Sequence, residues 1–79
     1  MEGNKIKIRL DTRDKIKRFY ENAISFASDI DIMTDSKILD AKSIIGLFNL
    51  DLSKDTYVKI ISNNIKECKE FETAMEAFK

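Results

Sequence analysis

The chain has 79 residues, of which 43% are hydrophobic and 35% charged, and its net charge is +0. That is the size and balance of one folded domain over 1–79 rather than of a disordered chain or a dedicated nucleic-acid binder. A chain this short buries only about 60% of its unfolded surface, so a thin two-layer core is expected and a large substrate pocket is not.

In chain order, Lys5 to Leu10 alternates polar and apolar residues, which predicts a strand burying Ile6, Ile8 and Leu10. Asp11 or Thr12 can cap the helix that follows. Ile16, Phe19, Tyr20, Ala23, Ile24 and Ala27 then form a helical stripe. Period two returns at Ile30 and Ile32, and Asp35-Ser36 reads as a tight turn, giving a hairpin over 29–34 and 37–41. Ser43 can cap a short helix, Ile44 to Asn49, with a loop at Asp51 to Asp55. Tyr57, Val58, Ile60 and Ile61 make the most strand-prone run. Asn64 and Glu67 have capping-box spacing. The last helix is expected to bury Ile65, Cys68, Phe71, Met75 and Phe78. The order is β-α-β-β-α-β-α, an α+β open-faced sandwich with helices on one face of a four-stranded sheet.

Residue types that are missing narrow the chemistry. The chain holds no histidine and one cysteine, Cys68. Triad catalysis, an internal disulfide and a Cys-based zinc site are all removed. Asp29, Asp31 and Asp35 invite a metal reading, but only Asp29 and Asp31 would share a strand face and two donors are too few for a calcium site, so no metal and no cofactor is expected. The N-terminus is not a signal peptide, and no apolar run approaches the roughly 20 residues of a membrane span. A free thiol fits the cytoplasm.

The segment Lys42-Ser43-Ile44-Ile45-Gly46-Leu47-Phe48-Asn49-Leu50 resembles the HPr family, the histidine-containing phosphocarriers of the bacterial sugar phosphotransferase system. The family typically reads Lys-Ser-Ile-Met-Gly-Val-Met-Ser-Leu here, at the start of its short middle helix. The likeness extends more loosely from Lys5 to Phe78. It implies an antiparallel sheet of order 1-4-2-3. It also implies a phosphoacceptor histidine where the first strand meets the first helix, within Gly-Ile-His-Ala-Arg-Pro. This chain instead has Leu10-Asp11-Thr12-Arg13-Asp14-Lys15, shorter by about three residues, with Thr12 nearest the histidine position. Phosphohistidine has a labile P–N bond and passes its phosphate on. A threonine phosphoester is too stable to do so, and Asp14 beside it would repel an incoming phosphoryl group. No phosphocarrier activity and no enzymatic activity is therefore expected.

The same resemblance marks Ser43 as a phosphorylation candidate, because Gram-positive members are phosphorylated at this serine and then bind a transcriptional control protein. The residue-level alternative is that Ser43 only caps a helix. The resemblance also places Ile44, Ile45 and Phe48 on a protein-docking patch, with Lys42 and Arg13 on its rim. The expected partner is another protein, such as a regulator or a kinase, and not a membrane. The alternatives are a small nucleic-acid-binding α/β domain and a phosphotransferase-system phosphocarrier proper, the latter opposed by the missing histidine. Residues 1–20 carry a net +4, and Tyr57 or Phe26 could stack a base. The plainer meaning of those cations is a solvated face.

Overall fold

The computed structural model describes residues 5–35, 37–51 and 53–79. Its elements are β1 (Ile6–Ile8), α1 (Arg13–Ala23), β2 (Asp29–Met33), β3 (Ile38–Asp40), α2 (Ile44–Phe48), β4 (Thr56–Ile61) and α3 (Ile65–Met75), with a 3-10 turn at Glu76–Phe78. The strands form one antiparallel sheet of order β1-β4-β2-β3. The apolar run of β4 explains its central place, since a strand paired on both sides buries most. Val58 lies opposite both Ile6 and Ile32, and Ile60 lies opposite Ile30.

Alternation sends these residues to one face. On that face Ile8, Ile30, Ile32, Val58 and Ile60 form one core with Ile16, Phe19 and Ala23 of α1, Leu47 of α2, and Phe71, Met75 and Phe78 beyond them. Phe78 meets Phe19 edge-on at 5.8 Å, and Phe26 meets Phe71 at 5.6 Å. The opposite face carries Lys7, Tyr57, Met33 and Ile38 in one cross-strand row and Lys59, Asp31 and Asp40 in the next. It is the open face of a two-layer sandwich.

Several boundaries differ from the sequence expectation. β1 stops at Ile8 because Ile8 opposes Thr56, where β4 begins; the Arg9 N–H turns instead to the Phe78 carbonyl at 2.6 Å. α1 ends at Ala23 because the Ser25 N–H and hydroxyl both donate to the Asn22 carbonyl, closing the last turn. Ile24 is consequently half exposed and Ala27 exposed, not part of the buried stripe. The hairpin is closed by the Thr34 N–H donating to the Lys37 carbonyl at 2.9 Å. Ser36, placed in that turn from the sequence, and Leu52 in the later loop lie outside the described residues.

Ile65 is the clearest correction: it is 71% exposed, not buried. Helical side chains lean back over the preceding turn, and before Ile65 the chain is only leaving the sheet. The buried stripe begins one turn later, at half-buried Cys68. The capping box is also only half made. Asn64 Oδ1 accepts from the Glu67 N–H at 3.1 Å, but the Glu67 carboxylate does not return to the Asn64 N–H, which donates to Ser62 Oγ at 3.0 Å.

Candidate functional site

A helix as short as α2 cannot persist on propensity alone, so its surroundings must hold it. Asp40 ends β3 and accepts the Lys42 N–H on its carboxylate at 2.8 Å, while its carbonyl takes the Ser43 N–H at 3.0 Å. The chain thus turns off the sheet directly into α2. Leu47 is fully buried and pins the helix to the core, and α2 packs against α1 and β3. One inward side chain per turn leaves the rest of an apolar helix facing outward. Ile45 is 76% exposed and Phe48 40%, while Ile44 is half-buried. Three apolar side chains on a five-residue helix therefore present surface that the core does not use.

Ser43 takes the N-cap position with extended backbone, and its carbonyl accepts the Leu47 N–H at 3.0 Å. Its hydroxyl makes no capping hydrogen bond. The serine is exposed, and a methyl added at Gly46 would stand 3.4 Å from its Oγ. Glycine at 46 leaves the hydroxyl uncrowded. The Lys42 ammonium donates to the Phe26 carbonyl at 2.7 Å, so this half-buried cation ties the start of α2 to the loop after α1.

Thr12 and Arg13 belong to a separate element, the start of α1, which is joined to α2 through helix packing. Thr12 is the N-cap, its Oγ1 accepting the Lys15 N–H at 3.1 Å. Two carboxylates flank this turn. Asp11 pairs with Lys15 at 3.0 Å and Asp14 with Arg18 at 3.0 Å. The hydrogen bond from Lys15 holds the Asp11 carboxyl below its usual range. Arg13 is exposed on the first turn. No group of three or more His, Cys, Asp or Glu side chains among the described residues is arranged to hold a metal.

One polar cluster escaped sequence reading. Glu67 accepts from the Ser28 N–H at 3.2 Å, the Ser28 hydroxyl at 2.6 Å and the Ser62 hydroxyl at 2.6 Å. These bonds, led by that of the Ser28 side chain, lower the Glu67 carboxyl pKa. The pairing of Asp29 with Ile61 brings their neighbours Ser28 and Ser62 alongside each other, information that only the register supplies. The cluster joins the entry to β2, the exit of β4 and the first turn of α3, which is a structural role.

Comparison with known proteins follows the same lines. Two solved structures superpose over almost the whole chain. Phosphocarrier protein HPr from Bacillus anthracis str. Ames aligns with a TM-score of 0.70 at 20% identity, covering 96% of this chain and 94% of that one. HPr-C-His from Thermoanaerobacter tengcongensis aligns with a TM-score of 0.69 at 26% identity, covering 98% and 93%. No curated protein sequence matches the chain. Residues 14–79 match the family model of the PTS HPr component phosphorylation site. That match spans α1 through the C-terminus and starts just after Thr12 and Arg13. By that match and by its β1-β4-β2-β3 sheet, the chain belongs to the HPr family of the phosphotransferase system.

Proposed function

We propose that this HPr-family protein does not carry phosphoryl groups and acts as a regulatory, protein-binding module through the helix after Ser43. The observation that carries the reading is the exposure of Ile45 and Phe48 on a helix whose one buried side chain is Leu47. An isoleucine left three-quarters in water contributes little to folding. The same side chain inserted into a partner's pocket can contribute about 2 kcal/mol or more. Ile44 widens the patch and Lys42 supplies a cation at its start; Arg13 enters the reading through the family resemblance and stands on the first turn of α1, a helix that packs against α2.

The chemistry of the α1 start supports the other half of the reading. The chain has no histidine to form a phosphoramidate. Thr12 uses its oxygen to cap α1 and lies between Asp11 and Asp14, whose charges are partly offset by Lys15 and Arg18. Ser43 is the modification site of this reading, since its exposed hydroxyl is not tied up in a cap. Phosphate there would add about two negative charges beside the apolar patch and change partner affinity.

The test is a pull-down with wild type against Ile45→Asp, with the fold of each checked by circular dichroism. Proteins retained by wild type and lost with Ile45→Asp support the reading. Equal recovery with both forms removes the patch from binding.

A further inference from the structure

We propose that the outer edge of β1 is a second binding surface, which takes an extended acidic peptide segment as an added strand. It is separate from α2 and shares none of its residues. β1 is the first strand of the sheet and pairs only with β4; no described strand covers its other side. The Arg9 N–H reaches the Phe78 carbonyl, pointing away from β4. Peptide groups alternate in direction along an extended chain. Those of Lys7 and Lys5 therefore point the same way as Arg9, outward, while Ile6 and Ile8 turn their groups to β4. The Arg9 end of this edge is closed by Phe78; Lys7 and Lys5 before it present outward donors and acceptors, the requirement for strand addition.

Its electrostatics select the occupant. The groove along this edge, about 760 Å³, is lined by Lys5, Lys7, Arg9, Lys54 and Lys79. The side-chain carboxylates in that lining are Asp11 and Asp55, and Asp11 pairs with Lys15. Lys7, Lys54 and Lys79 pair with Asp55, Asp35 and Glu76, which leaves Lys5 and Arg9 as the edge cations without an ion pair among the described residues. A second copy of β1 would bring lysines opposite lysines, which is unfavourable across paired strands. Lysines on an edge strand block self-association in this way. They do not block an acidic strand, whose carboxylates would meet them while its backbone completes the ladder.

The experiment titrates the whole protein with an acetylated, amidated Glu-Val-Asp-Val-Glu-Val-Asp peptide and follows backbone amides by NMR. The amides of Lys5 and Lys7 should shift most, and exchange of the Lys7 N–H should slow about tenfold or more on saturation. The Lys5→Glu, Lys7→Glu double variant should weaken binding about tenfold or more with an unchanged circular dichroism spectrum. The same peptide N-methylated at every residue keeps its charge but has no backbone N–H on either edge to pair, and should not bind. Equal binding of that peptide, or of a single-stranded oligonucleotide of equal charge, would reduce the site to bulk attraction and overturn the proposal. So would shifts centred on α2, absence of binding, or β1 shifts that depend on protein concentration without peptide.

Discussion

Ile45 and Ile65 are both strongly exposed, at 76% and 71%, and only the first could be foreseen. Ile45 sits in a helix too short to bury all its apolar residues, so exposure follows from length. Ile65 shares a helical stripe with Cys68 and Phe71, and only the position of the α3 first turn beyond the sheet separates them. Glu67 makes the same point for polar residues. Its spacing from Asn64 suggested a cap, but two serines brought alongside each other by strand register took the carboxylate. Long-range partners are invisible to local spacing. Two outcomes follow at this scale. Ile45→Asp should leave stability within about 0.5 kcal/mol of wild type in urea unfolding, as expected for an exposed site. For Glu67 the folded pKa lies below the ordinary 4.5. Its contribution is therefore full above the unfolded value and is lost as pH falls through the folded one. Glu67→Gln should lower stability at neutral pH and flatten the acid limb of the stability profile. An unchanged acid limb in thermal melts from neutral pH to pH 3 would remove the cluster from the folding account.

At the level of elements, type was legible and extent was not. Period 2 marked β1 and β2 and a helical stripe marked α1 and α3, because each has one buried face; β4 was marked by its strand-prone run, and β3 and α2 by the turn and the cap before them. Ends are fixed elsewhere: β1 by the start of β4, α1 by the Ser25 bonds to Asn22. The two long helices rest on aromatic anchors. Phe71 is fully buried and contacts Phe26 edge-on, so Phe71→Ala should cost about 3–5 kcal/mol in denaturant unfolding. α2 has the opposite character. Gly46→Ala adds a methyl at the near limit of ordinary contact with Ser43 Oγ. It should fold and should be stabilised by up to about 1 kcal/mol, because alanine loses less backbone entropy in a helix. A loss of stability there would mean that Ser43 and Gly46 are packed more tightly than the geometry indicates.

For the whole molecule, the order of elements and the α2 motif made the fold readable, since a four-stranded sheet with this sequence order has few ways to bury one face. The candidate site was readable only in part. The motif located α2 and its outward Ile45, and Thr12 was one of two caps legible for α1, but the seating of α2 by Leu47 and the tie of Lys42 to Phe26 needed coordinates. The central claim is that a family of phosphoryl carriers here supplies a fold whose binding face persists without the transfer chemistry. It is tested most directly by incubating the protein with the general phosphotransferase enzyme and radiolabelled phosphoenolpyruvate, beside a histidine-bearing HPr as positive control. The account predicts label on the control and none on this chain. Stoichiometric, acid-labile label on this protein would contradict it.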